Sequence, residues 1–353
     1  MSELLRARDG LPRLARRLQA GEPVTMVAFG TSLTLVGAYL DRLSDAVQAA
    51  YPGARFNLIN RGRNGYMTLG AAFRVDVDVL PHAPDVVLIE FAHNDGTPIL
   101  VDFIPWALEG ILGQVRAALP ECEFVFVYLA LPTVAAEGPT HAMRAYEAIA
   151  SERGIPSIDL SALSEELVAG GTADWVGSPD RALTVDGVHH GPAAAGFLGE
   201  PFARAFLELL AAPAITPRPP PSIRREALTD VARVRAADCL LTGVWAVRPP
   251  APGEQRGAGI DEEGLAEALE PGATLQLAFN GTNAYCWMSG SGVLWISIEP
   301  LGARYRVAVE AVRKWAFCSL MESHPRADYK VDVVALSAGL LFGDVCMAGT
   351  LSS

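Results

Sequence analysis

The sequence predicts a doubly wound α/β domain followed by a smaller all-β domain, and three observations lead to this fold class. Uninterrupted apolar runs alternate with helical patterns from residue 24 to about 160. Five prolines then fall within residues 213 to 221, where neither a helix nor a central strand can continue. Beyond them, segments alternate apolar and polar residues. Because 353 residues exceed one ordinary domain, we expect two.

The apolar runs of the first half are predicted to be strands of a parallel sheet, because strands covered by helices on both faces are apolar throughout. These runs are VTMVAFG (24–30), RFNLINR (55–61), DVVLIEF (85–91), EFVFVYLAL (123–131) and IPSIDL (155–160). Helical patterns lie near 35–51, 66–80, 102–119, 139–153 and 192–211. Right-handed crossovers then give a five-stranded sheet between two helical layers, as in a flavodoxin-like α/β/α domain. The first 25 residues are expected to form an amphipathic helix that restarts at Pro12.

The proline-rich stretch marks the predicted domain boundary. We expect a catalytic domain over 1–212, a linker over 213–222 and a β-domain over 223–353. Segments such as ATLQLAFNG, NAYCWM and GVLWISIE alternate apolar and polar residues between Gly-rich or polar turns. This patterning predicts an antiparallel, jelly-roll-like sandwich.

Composition argues against several classes of partner. The net charge is −12 and only two lysines occur, so neither a nucleic-acid partner nor an anionic membrane is expected. No apolar stretch is long enough to span a membrane and no signal peptide is seen, which favours a cytoplasmic location. The five cysteines have no CxxC spacing and are expected to be buried free thiols, without a metal or a cofactor. The oligomeric state is left open.

Polar residues follow the first three predicted strands. Ser32 comes after strand one, Gly65 after strand two and Asn94 after strand three. If the strand order is 2-1-3-4-5, these strands are neighbours, and their carboxyl ends meet at the crevice where such sheets bind ligands. We therefore expect Ser32, Gly65 and Asn94 to converge.

The segment TVDGVHHGP places Asp186 three residues before His189. A turn of this length can set a carboxylate against one imidazole nitrogen and leave the other to activate a serine. Each signal has an ordinary alternative: Ser32 as a helix N-cap, Gly65 and Asn94 as turn residues, His189 as a loop histidine. Their order along one sheet edge favours the catalytic interpretation.

These residues resemble the blocks of the SGNH, or GDSL-type, hydrolase superfamily over about residues 11–211. The segment FGTSLT matches the first block, NRGRNG (60–65) the second, AHND the third and DGVH the fifth. The chain departs from the family pattern in three places: Thr31 replaces an aspartate, Ala92 replaces a glycine and His190 replaces a frequent proline.

The resemblance implies roles for the residues that match. Ser32 would be the nucleophile, His189 the base and Asp186 its orienting carboxylate. The backbone N–H groups of Ser32 and Gly65 and the side chain of Asn94 would form the oxyanion hole. Thr31, His93 and His190 are candidates for the substrate pocket.

The expected activity is a serine esterase that hydrolyses short-chain, O-acetyl esters on a carbohydrate. A lysophospholipase or acyl-thioesterase, an O-acyltransferase and a non-enzymatic carbohydrate-binding protein stay open, because one triad can serve several substrates. Aromatic side chains of the second domain can either stack on sugars or fill its core; they are Tyr285, Trp287, Trp295 and Trp315.

Overall fold

The computed structural model describes residues 4–96, 103–129, 131–132, 140–212, 227–250, 265–322 and 324–352, with the backbone alone for residues 96 and 311–316. The chain divides into two compact units. The first comprises Met1–Ala71 and Val75–Ala227, and the second Ala72–Arg74 and Leu228–Ser353. The linker predicted at 213–222 lies outside the described residues and stays a prediction.

The first unit is built on a six-stranded sheet of order β1-β6-β5-β4-β2-β3. Its strands are β1 (Leu5–Arg6), β2 (Pro23–Gly30), β3 (Arg55–Asn60), β4 (Val86–Glu90), β5 (Glu123–Tyr128) and β6 (Ser157–Asp159). Strands β2 to β6 run parallel. Their order, β3-β2-β4-β5-β6, is that of a flavodoxin-like fold, and it confirms the predicted fold class.

The sixth strand corrects the prediction at the N-terminus. Residues Leu5–Arg6, predicted to be helical, pair antiparallel with β6, so the sheet is mixed rather than entirely parallel. Leu5 is buried in the core and lies opposite Ile158. Burial of Leu5 against the edge strand β6 favours a strand here more than the spacing of the arginines favours a helix. A helix does begin at Pro12, as expected.

Helices lie on the connections between these strands. They are α1 (Pro12–Gln19), α2 (Ser32–Val36), α3 (Leu43–Ala50), α4 (Thr68–Ala72), α5 (Val75–Asp78), α6 (Phe103–Ala118), α7 (His141–Arg153), α8 (Leu160–Ala169) and α9 (Pro192–Ala211). Three-residue 3₁₀ helices occur at Ala38–Leu40, Leu80–His82 and Asn94–Gly96. In the described part of the chain, no helix combines the length and apolarity that crossing a membrane requires.

The second unit is all-β and antiparallel. Its strands are β7 (Ala232–Arg235), β8 (Leu240–Thr242), β9 (Trp245–Arg248), β10 (Leu265–Ala268), β11 (Thr274–Glu299), β12 (Ala303–Met321), β13 (Ala327–Ala335) and β14 (Leu340–Leu351). Strand β13 lies between the two halves of β11: Val333 is opposite Leu275 on one side and Ile296 on the other. Within this unit, the Asp344 carboxylate pairs with Arg74 at 3.2 Å and with Arg233 at 2.9 Å.

All five cysteines are free. Cys122, Cys286 and Cys346 are buried as predicted, whereas Cys239 and Cys318 are half-buried.

Candidate active site

Ser32 stands at the carboxyl end of β2, as the first residue of α2. Thr31, not Ser32, caps this helix, since its hydroxyl accepts the Leu33 N–H at 3.2 Å. The N-cap residue is therefore Thr31, and the Ser32 hydroxyl does not cap this helix. Glycine is required at Gly30, because a Cβ there would collide with the Thr34 hydroxyl and lie 2.8 Å from the carbonyl oxygen of Glu90.

The segment after β3 is hydrogen-bonded to residues 30–34, which we call the Ser32 turn. The N–H of Arg63 donates to the Gly30 carbonyl at 3.0 Å, and the Asn60 amide donates to the Thr34 carbonyl at 2.6 Å. Gly62 approaches α2 so closely that a Cβ would collide with the backbone nitrogen of Leu35. The segment ends at Gly65, whose φ of +69° is readily adopted by glycine alone.

Asn94 lies four residues beyond β4, the neighbour of β2 on its other side. Its side-chain amide donates to the Tyr66 carbonyl at 2.7 Å, which ties it to the residue after Gly65. Because an amide nitrogen carries two N–H groups, one donor is left after this bond. Asp95 joins the same two segments a second time, because its carboxyl accepts hydrogen bonds from the Thr68 N–H at 3.0 Å and from the Thr68 hydroxyl. Burial raises the pKa of Asp95 to about 7.

Asp186 and His189 form a hydrogen-bonded pair on the exposed loop before α9. Oδ2 of Asp186 lies 2.8 Å from Nδ1 of His189, and Oδ1 accepts the His189 N–H at 2.8 Å and the Val188 N–H at 3.0 Å. The bond to the His189 side chain, with the two backbone bonds, lowers the pKa of Asp186 to about 2. The carboxylate is therefore charged at neutral pH, and Nε2 of His189 points away from it.

Three histidines gather near this loop. Burial, and then the charge of His189, lower the pKa of His93 to about 4. Burial, and then the charges of His93 and His189, lower that of His190 to about 4 as well. Both imidazoles are thus neutral at pH 7, and within the described residues the Nδ1 atom of each is buried without a hydrogen-bond partner.

The five predicted residues fall into two hydrogen-bonded groups: the Ser32, Gly65 and Asn94 segments at the ends of neighbouring strands, and the pair Asp186 and His189 on the loop before α9. Hydrogen bonds fasten the Gly65 and Asn94 segments together and the Gly65 segment to the Ser32 turn. α9, which begins three residues after His189, packs against the 3₁₀ helix Ala38–Leu40 that follows α2, and Phe202 makes an edge-on ring contact with Tyr39 at 5.2 Å. Across the described chain, no hydrogen bond joins Ser32 to His189. Such bonds between nucleophile and base often tighten only in the substrate complex.

Sequence reasoning missed Glu90, the last residue of β4. Its carboxyl is 1% exposed and accepts hydrogen bonds from Thr31 and Thr34, on either side of Ser32. The available signal was a single acidic residue at the end of the apolar run VVLIE. Among the described residues, no cluster of three or more histidine, cysteine or acidic side chains is arranged to hold a metal ion.

The aromatic residues of the second unit divide into two groups. Tyr285 and Trp287 are each 2% exposed and pack on Phe317, so they belong to the core and cannot stack on a sugar. Trp295 is half-buried beneath the Arg304 guanidinium, which lies 4.6 Å from the ring centroid. The side chain of Trp315 lies outside the described residues.

Comparison with known proteins gives a family and a fold. The sequence model of the GDSL-like Lipase/Acylhydrolase family matches residues 20–195, whereas no curated protein sequence matches the chain. A crystal structure of a two-domain esterase active on acetylated mannans is similar over 99% of both chains, with a TM-score of 0.77 and 18% identity. The form co-crystallised with mannopentaose is similar over 99% of both chains, with a TM-score of 0.75 and 17% identity.

An acetylxylan esterase from Geobacillus stearothermophilus is similar over 55% of this chain and 97% of its own, with a TM-score of 0.42 and 19% identity. The family match and the full-length structural match agree with the sheet order and with the sequence blocks described above. The chain belongs to the SGNH, or GDSL-type, hydrolase superfamily.

Proposed function

We propose that this chain is a serine esterase that removes short acyl groups, O-acetyl in particular, from a carbohydrate through an acyl-Ser32 intermediate. The observation that carries the proposal is the 2.8 Å hydrogen bond between Asp186 and His189 on the loop before α9. An ionised carboxylate on Nδ1 fixes the tautomer in which Nε2 accepts a proton. Ser32, which does not cap its own helix, is the nucleophile that this base would serve.

In the acylation step, Oγ of Ser32 attacks the ester carbonyl carbon and its proton passes to Nε2 of His189. The carbonyl oxygen becomes negatively charged, and the N–H groups of Ser32 and Gly65 and the second N–H of Asn94 donate to it. The bond to the alcohol then breaks, and the departing oxygen takes the proton from His189. Acyl-Ser32 remains.

In the deacylation step, His189 takes a proton from water as the water oxygen attacks the acyl carbon. The bond to Oγ breaks, Ser32 regains its proton, and the carboxylic acid leaves. Asp186 stabilises the imidazolium in both steps and stays ionised, because its pKa is about 2.

Two observations support a sugar ester. The solved esterase that shares both domains acts on acetylated mannans. In this chain, the His93 and His190 imidazoles are neutral and lie close enough to His189 to interact with its charge. Neutral imidazoles both donate and accept hydrogen bonds, as sugar hydroxyls require. Thr31, by contrast, is occupied with Glu90, so we assign it to the support of the Ser32 turn rather than to the pocket.

The test is a series of p-nitrophenyl esters from acetate to octanoate, with the wild type, Ser32→Ala and the exposed control Ser178→Ala, followed by acetate release from acetylated mannan and acetylated xylan. We expect the acetate ester to be the best substrate and Ser32→Ala alone to be inactive. Full activity in Ser32→Ala would remove Ser32 as nucleophile. Faster octanoate hydrolysis would indicate a lipid hydrolase. Accumulation of acylated acceptor with excess sugar would indicate a transferase.

A further inference from the structure

Glu90 is a buried carboxyl group next to the Ser32 turn. It ends β4, which pairs with β2 so that Glu90 lies opposite Gly30. A carboxylate removed from water is costly unless hydrogen bonds or charges compensate it. A residue of this kind at the end of an apolar strand therefore needs an explanation, and its contacts provide one.

One carboxyl oxygen of Glu90 accepts three hydrogen bonds from Thr31 and Thr34, the residues on either side of the Ser32–Leu33 pair. Oε2 accepts the Thr31 hydroxyl at 2.7 Å, the Thr31 N–H at 3.2 Å and the Thr34 hydroxyl at 2.9 Å. The Thr31 hydroxyl in turn accepts the Leu33 N–H. The Thr34 hydroxyl lies 2.9 Å from the Tyr39 hydroxyl, and since Thr34 donates to Glu90, Tyr39 donates to Thr34. Every member of this network is buried.

The network fixes both ends of the turn. Thr31 precedes Ser32, and Thr34 lies two residues after it, so the Glu90 carboxyl holds the backbone on each side of the nucleophile. A shift of about 1 Å in a reacting group can cost about 100-fold in rate. Constraint at these two threonines therefore acts on the position of Ser32 Oγ and of its N–H.

We propose that Glu90 is a positioning residue of the Ser32 turn, whose carboxyl holds the backbone on both sides of Ser32 through Thr31 and Thr34. The proposal rests on Ser32 being the nucleophile of the proposed esterase. The short Thr31 hydroxyl side chain donates to Glu90, whereas a second buried carboxylate at this position would repel it.

The charges around Glu90 are acidic or neutral. Burial raises its pKa to about 7, the hydrogen bonds from Thr31 and Thr34 oppose this, and the charge of Asp95 adds to the rise. The pKa of Tyr39 and of Tyr146 is raised well above its usual value, by burial and by neighbouring carboxylates that include Glu90, so both stay neutral. Glu90 can therefore change its charge near pH 7, which glutamine cannot do.

The first experiment compares Glu90→Ala and Glu90→Gln with the matched control Glu109→Gln, using p-nitrophenyl acetate and circular dichroism. Glu109 is equally buried but pairs with Arg153 at 2.8 Å, away from the turn. We expect kcat to fall about 10- to 100-fold in Glu90→Ala with KM little changed, and less in Glu90→Gln. The ratio of kcat between Glu90→Gln and the wild type should change between pH 6 and 8. Glu109→Gln should lose stability without losing kcat.

The second experiment tests the contact between Glu90 and position 31. Thr31→Asp should lower both kcat and Tm, and adding Glu90→Gln to it should restore much of both. A folded Glu90→Ala or Glu90→Gln with wild-type kcat across this pH range overturns the proposal, as does a double variant no better than Thr31→Asp. If Glu90→Ala fails to fold, Glu90→Gln and the double variant decide. An active Ser32→Ala would instead show that the proposed function is wrong.

Discussion

Nδ1 of His189 lies 2.8 Å from Oδ2 of Asp186, while the other oxygen of the same carboxylate accepts two backbone N–H groups of that loop. The carboxylate therefore has two separate tasks. One oxygen orients the imidazole, and the other holds the loop that carries it. A substitution at Asp186 can thus be designed to affect mainly the first task.

Asp186→Asn should leave the loop folded and lower kcat by about 1,000- to 10,000-fold, because an amide N–H facing Nδ1 favours the tautomer in which Nε2 is protonated. The measurement is steady-state hydrolysis of p-nitrophenyl acetate, with circular dichroism as the folding check. Asp180→Asn, the same exchange on the exposed segment just upstream, should be silent. A loss of less than tenfold in Asp186→Asn would mean that another group orients the base.

Asn94→Ala should lower kcat by about 100- to 1,000-fold with a small change in KM, because in the proposed mechanism the amide would donate to an oxygen that becomes charged only in the transition state. Asn57→Ala, at an exposed position of β3, is the matched control and should keep the wild-type rate. Thermal melts separate the loss of the bond to the Tyr66 carbonyl from the loss of catalysis. A rise in KM of about 100- to 1,000-fold with kcat unchanged would contradict an oxyanion role.

The positions of the candidate residues at strand ends and on one loop follow from local signals, whereas their catalytic roles stay predictions. Ser32 and Asn94 follow apolar strands, and Asp186 and His189 are three residues apart on one loop. Once the order of the parallel strands is inferred from the alternation of strands and helices, the topology brings the strand ends together.

Glu90 could not be predicted in the same way, because its partners Thr31 and Thr34 come from the end of another strand. In sequence it is only the polar end of an apolar run. The second unit shows the same limit: β11 spans 26 residues, where the pattern predicts three shorter segments. Its two halves pair with opposite sides of β13, a non-local arrangement that alternation alone does not specify.

Gly62→Ala should destabilise the protein by about 1–3 kcal/mol, because the new Cβ meets the rigid backbone of α2 rather than a side chain that can move. It should also reduce kcat, since α2 begins with Ser32. Gly196→Ala is the matched control: it lies within α9 with no atom within 4 Å of the new Cβ. Helix propensity predicts a gain of about 0.5–1 kcal/mol there. Urea unfolding measures both, and equal stability of the two variants would contradict the packing argument.

The Asp95 carboxyl should make the protein less stable as the pH rises towards neutrality. Its pKa is about 7 in the folded protein because of burial, against an ordinary value of 3.8. The folded state therefore binds more protons than the unfolded state between these values. The stabilisation is complete below pH 3.8 and is lost as the pH rises through 7, at up to about 1.4 kcal/mol per pH unit. Asp186 does not contribute in this range, because its pKa is about 2.

Urea unfolding of the wild type and Asp95→Asn at pH 5 and pH 8 measures this effect. We expect the wild type to lose more stability between the two pH values than Asp95→Asn, by at least about 1 kcal/mol, because the amide does not titrate. The exposed Asp76→Asn is the control and should keep the wild-type slope. Glu90 titrates in all three proteins and therefore leaves part of the slope in Asp95→Asn. Parallel pH dependences in the wild type and Asp95→Asn would show that Asp95 is already ionised at pH 5, and that the hydrogen bonds from Thr68 outweigh its burial.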